Sequence, residues 1–336
     1  MTMRSTNKLI CALQRNSPNL FFSLVDYRNN LFTSNDPKKI MEFYNGFENR
    51  DELIEWMRER PKGASYIHEV EGDKDIVVVI PTADFNGKYA KECRENIFKG
   101  FHIIFVESGG RDDFYFNYAH NCNLGIKKAM EYNPKWIVLS NDDMYKIDDV
   151  DVLARQLKTI DEKNYNAVFT KPSKYHSVPF RIIKNNFFYN LFQLMKNNYA
   201  GRTRVELYKK FEIRFIFMKS KYTLIFSFPR KGYYFTQAGD FLILSYEFVK
   251  QADGNIFDET YINVTEDVDL SFRISLKNEK VAIIDYKIGD YIGSTFGPTF
   301  GGRWFKEAAG TSYFNFKWEK ELQKLVFRKP QSEPFL

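Results

Sequence analysis

The chain has 336 residues, of which 27% are charged and 17% aromatic, with a formal net charge of +6. That length can bury a large core, as two domains or as one domain with sizeable appendages. Three cysteines (Cys11, Cys93, Cys122) without metal-type or redox-type spacing argue against a disulfide framework or a zinc module, and no apolar run reaches the ~18 residues needed to span a bilayer.

Residues 1–72 read as a helical extension. "DPKKIMEFYNGF" opens with Asp36 as a cap and Pro37 at the first helical position, and "RDELIEWMRERP" has Leu53, Trp56 and Met57 at helical spacing before Pro61 stops it. The opening "MTMRSTNKLICALQRN" lacks the continuous apolar core of a secretory signal, so a cytoplasmic chain is expected, soluble or peripheral at a membrane. "IVVVIP" at 76–81 is a β-branched run without polar alternation, the pattern of a strand buried on both faces of a parallel sheet.

From there strand, loop and helix repeat. A loop from Pro81 to Gly87 precedes a helix near Tyr89–Phe98, and strand "HIIFVE" ends in a loop through Ser108, Gly109 and Gly110. A helix in "YAHNCNLGIKKAMEY" leads to strand "WIVLS", then helix "DDVDVLARQLKTI" and strand "NAVFT". This alternation predicts an α/β fold whose ligand binds beyond the carboxyl ends of the strands.

The next stretch has a different character. From Arg181 to Gly232 twelve Lys or Arg face two acids, Glu206 and Glu212, so it carries about +10 and the rest of the chain about −4. Aromatic residues crowd the same stretch. Basic residues mixed with rings suit an anionic membrane surface or a nucleic acid, and suit equally an insertion that packs its rings and solvates its charges. Beyond it come a short strand near Phe241–Leu244, a helix, the acidic "TEDVDLSFR", a last strand in "VAIIDY", and a Gly-rich loop, "GSTFGPTFGGRWF", ahead of an amphipathic tail.

Two acidic clusters carry the chemical signal. Asn141, Asp142 and Asp143 spill from the end of "WIVLS", and Glu266, Asp267 and Asp269 open a predicted helix. Carboxylates at a strand end suit a hard divalent cation that holds a diphosphate, and a carboxylate at a helix start suits a general base. Turn and cap residues have the same composition, with Thr265 as a cap and acids favoured by the dipole, and Arg273 one turn beyond Asp269 as its partner. His68, His102, His120 and His176 show no ligand spacing.

The order of these pieces resembles family 2 inverting glycosyltransferases of the GT-A fold over roughly residues 75–295. Pro81 and Thr82 match the family's opening Pro-Thr, Glu107 its second-strand acid, and Asn123, Leu124 and Gly125 its Asn-x-Gly. Asn141, Asp142 and Asp143 look like its Asp-x-Asp motif. Gly239, the Phe257-Asp258-Glu259 run and the Glu266-Asp267 pair follow in the family's order.

The resemblance implies a Rossmann-like, mixed but mostly parallel sheet flanked by helices. A nucleotide-sugar-binding half would lie at 73–180, a basic aromatic insertion at 181–235, an acceptor and catalytic half at 236–298, and a C-terminal loop and tail at 299–336. It implies Mn²⁺ or Mg²⁺ on Asp143 with Asp290 as second ligand, Asp267 as base beside Glu266, and nucleotide contacts from Pro81, Thr82, Asp84, Glu107, Asn123 and Asp142. The implied partners are a nucleotide-diphospho-sugar and an acceptor on a glycan, lipid or protein, with membrane contact through 181–232 ranked above nucleic acid. Three departures stand out. Asn141 replaces the first Asp of the motif, Asp290 stands where the family often supplies His, and Phe300 replaces the Gln that would precede Arg303 and Trp304 in processive members.

Two other classes remain open. A nucleotidyltransferase shares a layered sheet and a carboxylate-bound metal, but no Gly-rich run with following Arg and Lys cradles a triphosphate at the first strand. A non-catalytic module could use the basic insertion on nucleic acid, with salt-sensitive binding as its mark.

Overall fold

The computed structural model describes residues 27–34, 36–109, 113–171, 180–183, 191–195, 208–217, 220–229, 233–236, 239–277, 279–291 and 300–321. Its centre is one seven-stranded sheet in the order β1-β3-β2-β4-β12-β6-β13. The strands are β1 (Ser65–Val70), β2 (Asp73–Thr82), β3 (Phe101–Ser108), β4 (Trp136–Ser140), β6 (Ala167–Thr170), β12 (Phe241–Ser245) and β13 (Val281–Ile284). The first four were β1 to β4 in chain order, and a short β5 (Met144–Lys146) follows β4.

Five of the seven strands run the same way, and β1 and β12 run against them. The sheet is therefore mixed α/β, compatible with a Rossmann-like fold. Val77, Val78, Val79 and Ile80 of β2 are fully buried, as the unbroken β-branched run predicts for a strand covered on both faces. Each such side chain contributes roughly 1.5–3 kcal/mol relative to exposure.

Helices cover both faces. Helix α1 (Pro37–Asn45) has the expected cap, with Asp36 accepting from the Lys38 amide, and α2 (Arg50–Glu59) ends before Pro61. Helix α3 (Lys88–Glu92) continues as a π-helical turn over Cys93–Ile97. Helix α4 (Tyr118–Met130) lies so close to the sheet that a Cβ on Gly125 would fall 2.4 Å from Val79 Cγ1 and 2.9 Å from Val106 Cγ2. Glycine is what lets this helix approach. Helices α5 (Val150–Lys158), α6 (Tyr246–Gln251), α7 (Glu266–Leu276) and α8 (Phe300–Lys317) follow.

Two expectations are corrected, and one strand acquires its direction. Residues 1–72 are not only helical, because Ser65–Val70 forms an edge strand antiparallel to β3. The strand at 241–245, expected without a direction, is the member that makes the sheet's interior mixed, running antiparallel between β4 and β6. The stretch beginning at residue 299 is no loop and tail. Phe300–Lys317 is one helix, and its Ala308, Ala309, Tyr313 and Phe314 share a core with Ile40, Phe43, Leu53 and Met57 of α1 and α2. Both ends of the chain thus build one helical core beside the sheet.

Within the basic stretch the backbone forms β7 (Phe180–Ile183), β8 (Leu191–Met195), β9 (Tyr208–Phe217), β10 (Ser220–Pro229) and β11 (Tyr233–Thr236), paired as β8-β10-β9 and β11-β7. Which way its rings and lysines face lies outside the described residues, as do Cys11 and His176. Among the described residues no helix is long and apolar enough to cross a membrane.

Candidate active site

The carboxyl ends of β2, β3 and β4 meet at one edge of the sheet. Because β12 is antiparallel, its start joins them there, with Phe241 opposite Ser140. Asp240 consequently faces Asn141. The Asn141 amide N–H donates to the Asp240 carbonyl at 2.9 Å, and Asn141 Nδ2 donates to Asp240 Oδ1 at 3.0 Å. Asn141 Oδ1 accepts from the Tyr118 hydroxyl at 2.8 Å. An amide suits position 141, since a carboxylate there would oppose Asp240 instead of donating to it.

Asp240 is the most perturbed acid of this edge. Burial, then the charges of Asp290, Asp143 and Asp267, and a hydrogen bond with Asp290, push its carboxyl up to about 7. Four carboxylates from separate segments therefore share one electrostatic neighbourhood. Asp142 stands beside them, accepting from Thr82 Oγ1 at 2.7 Å. Burial and the charge of Asp143 push it up to about 6 against the opposing pull of the Thr82 hydrogen bond. The Cys93 thiol, in the π-helical turn, donates to the Asp142 carbonyl at 3.3 Å.

Asp290 reaches this place through a two-strand pairing that is remote in sequence. The strand β14 (Ile288–Asp290) pairs with β5, setting Asp290 opposite Met144 and Gly289 opposite Tyr145. The Tyr291 amide then donates to the Asp143 carbonyl at 3.0 Å. Among the described residues no three His, Cys, Asp or Glu side chains stand in a ready-made metal shell. The donor chemistry nonetheless fits a hard divalent cation. Asp143, Asp240 and Asp290 offer only oxygens, and the repulsion that raises Asp240 is the kind a cation relieves.

Asp267 and Glu266 open α7 after a strained approach, with Asn263 at φ 59° and Thr265 at φ 79°. A β-branched residue in that region is costly and persists only where its surroundings enforce it. The Thr265 carbonyl accepts from the Asp269 amide at 2.8 Å, so Thr265 sits at the helix start as expected. Asp267 Oδ1 accepts from the next amide, Val268, at 2.7 Å. Glu266 is only 6% exposed, and its charge acts on Tyr118 and Cys122.

The approach segment is braced from two sides. The Tyr118 amide donates to Asn263 Oδ1 at 2.8 Å, and Gly310 of α8 lies so close that a Cβ would fall 2.7 Å from Thr265 Oγ1. The pairing expected between Asp269 and Arg273 is not formed. Asp269 accepts instead from Lys317 Nζ, the Tyr261 hydroxyl and Trp318 Nε1, while Arg273 donates to the Ile256 carbonyl.

The residues expected at the nucleotide end have varied settings. Pro81 and Thr82 are buried at the end of β2, and Asp84 is exposed, with its Oδ1 accepting from the Asn86 amide at 2.8 Å. Glu107, paired in register with Thr82, accepts from the Phe85 amide at 3.1 Å and contacts His68 Nε2 at 2.6 Å. The His68 ring stacks on Phe85 at 4.3 Å and 6°. Asn123 is 1% exposed, and its side chain clamps the 257–259 segment. Its Nδ2 donates to the Phe257 carbonyl at 2.9 Å and to Glu259 Oε1 at 3.0 Å, and its Oδ1 accepts from the Phe257 amide.

Sequence reasoning passed over Asp240, Tyr118 and His68. The Gly239-Asp240 pair just before a strand was a usable signal, but only a strand read as antiparallel brings its start to this edge. His68 was hidden because its strand was read as part of a helical extension. The chain matches no protein-family model, no curated protein and no solved structure.

Proposed function

We propose that this chain is a metal-dependent inverting glycosyltransferase of the GT-A type, moving a sugar from a nucleotide-diphospho-sugar to an acceptor hydroxyl. The observation that carries the reading is the convergence of Asp142, Asp143, Asp240, Asp267 and Asp290, contributed by the ends of β4 and β14 and the starts of β12 and α7, on one edge of a mixed α/β sheet. Ligands of such sheets bind at that edge.

In this reading Asp143 and Asp290, together with Asp240, would hold Mn²⁺ or Mg²⁺. The bound cation would neutralise the diphosphate as it leaves. Thr82 and Tyr118 fix Asp142 and Asn141 by hydrogen bonds, so the oxygens that meet the donor are set before it arrives. Asp267 accepts the proton of the acceptor hydroxyl while that oxygen bonds to the anomeric carbon and the bond from that carbon to the diphosphate breaks. The proton then passes to solvent. Asp84 and Glu107 mark the nucleoside end. A lipid-linked or protein-linked glycan as acceptor, and contact of residues 181–232 with a membrane surface, belong to the same proposal.

The test is a screen of nucleotide-sugars for thermal stabilisation with and without Mn²⁺, since a ligand bound only by the native state raises its stability. At least one nucleotide-sugar should stabilise the protein in a Mn²⁺-dependent way that Asp143→Asn abolishes. Absence of any such response across uridine, guanosine, cytidine and thymidine diphospho-sugars would remove the proposal.

A further inference from the structure

Six large apolar side chains are exposed among the described residues, and one of them, Tyr291 at 49% exposure, directly follows Asp290. Its ring meets Tyr145 at 4.8 Å and 45°, and Tyr89 at 6.2 Å and 45°. Tyr145 lies in β5 just after Asp143, Tyr291 directly follows Asp290 at the end of β14, and Tyr89 comes from α3, so two of the three rings adjoin carboxylates of the acidic edge. The arrangement is seated, not incidental. A Cβ on Gly289 would lie 2.1 Å from Tyr145 Cζ, so the Tyr145 ring lies flat over a glycine that leaves room for it.

Exposed aromatic surface costs free energy unless something covers it, and a cluster beside a polar site marks where a ligand's apolar face comes to rest. Tyrosine offers a flat apolar body with a hydroxyl at its tip. That combination suits a pyranose, which shows axial C–H bonds on one face and hydroxyls around its rim. Rings tilted by 45° leave no parallel slot for a planar base. They suit a puckered ring better. Carboxylates next to the platform can accept from sugar hydroxyls.

We propose that Tyr89, Tyr145 and Tyr291 form a saccharide subsite that takes the face of a pyranose in the acceptor, beside the acidic edge. Its assignment to the acceptor rests on the transferase reading. The presence of a pyranose-binding platform does not, and the experiment separates the two.

Wild type, Tyr291→Ala and Tyr291→Phe are titrated by saturation-transfer NMR with methyl glucoside, galactoside, mannoside, rhamnoside and N-acetylglucosaminide. In a separate arm they are titrated with uridine and guanosine diphosphates plus Mn²⁺. At least one pyranoside should bind wild type, weaken roughly three- to tenfold in Tyr291→Ala, and recover in Tyr291→Phe. Nucleoside diphosphate affinity should stay within about twofold in all three. No pyranoside bound by wild type, or a bound pyranoside indifferent to Tyr291→Ala, overturns the platform. So does an equal loss of nucleoside diphosphate affinity, which would assign the rings to the nucleobase. Failure of both diphosphates to bind wild type counts against the transferase reading alone, because the pyranoside arm judges the platform separately.

Discussion

Two acidic clusters meet at the start of α7, one through Asp267 and the other through Asp269, and the chain treats them in opposite ways. Asp258 and Asp269 are closed off by the protein's own donors. Asp269 is 1% exposed, and Lys317 Nζ reaches both carboxylates, at 2.8 Å and 2.9 Å, with Tyr313 on the first and Tyr261 and Trp318 on the second. Burial alone would raise Asp258, but Lys317 and its hydrogen bonds hold it below the usual carboxylate range. Asp240 is half-buried, and that burial together with the charges of Asp290, Asp143 and Asp267 raises its carboxyl to about 7. One cluster is a finished structural joint between α8 and the sheet domain. The other gathers carboxylates from separate segments, and their mutual repulsion adds to burial in raising Asp240.

The largest expected effect separates the two by function. Asp267→Asn keeps the shape and removes the proton acceptor, so transfer should fall by about 10²–10⁴ while the thermal midpoint stays within a few degrees. Full activity in that variant, measured on whichever nucleotide-sugar the screen identifies, would take Asp267 out of the role of base. Lys317→Met should do the reverse. It strands the buried Asp269 and the half-buried Asp258, and breaking such a pair costs up to about 3–5 kcal/mol, read as a large loss of denaturant midpoint. A small loss would mean that the hydroxyls and the Trp318 indole suffice to hold the joint.

Acid titration sharpens the contrast because the two clusters slope in opposite directions. Asp258 has a depressed folded value, so its contribution is present above the unfolded value of 3.8 and is lost as pH falls through the folded one. Asp142 and Asp240 have raised values, so the folded state holds their protons longer than the unfolded state does. Their contribution is greatest below 3.8 and declines as pH rises toward about 6 and about 7. Stability of the protein without added divalent cation should therefore fall between roughly pH 4 and pH 7, by at most about 4 kcal/mol for the three-unit shift of Asp240. Denaturation curves of Asp240→Asn should show a flatter slope over that window. An unchanged slope would mean that the repulsion at Asp240 is relieved some other way.

Much of this site could be read in the chain before folding, and the unread part has a common cause. The buried run at 76–81, the capped helices at Asp36 and Pro37, and the acids at 142, 143 and 267 depend on local pattern, which is visible in sequence. Asp240, β1 and the pairing of β14 with β5 depend on strand direction and register between segments distant in sequence, which local pattern does not encode. The Asp269 partner failed for the same reason. Arg273 lies at helical spacing, but Lys317 arrives from a distant helix that the Gly-rich "FGGRWF" disguised as a loop.

Helix α8 links the two clusters, and the smallest predicted effect tests that link. It sends Lys317 into the closed cluster and sets Gly310 against the backbone that precedes the open one, where a Cβ would meet Thr265 Oγ1 at 2.7 Å and the Val264 carbonyl at 2.8 Å. Gly310→Ala should gain up to about 1 kcal/mol in helix propensity and lose about 1–3 kcal/mol to overpacking. The net change is then a loss of about 0–2 kcal/mol. The hydroxyl can rotate away, but the carbonyl can move only if Thr265, already at φ 79°, moves with it and carries Asp267 along. Transfer should therefore drop more than stability does, with kcat falling about tenfold and the nucleotide-sugar KM little changed, because displacement of a base by a fraction of an ångström acts on the chemical step. If the variant is stabilised and kcat is unaltered, the segment before α7 is soft, and the position of Asp267 is set by its own helix and not by the helix behind it.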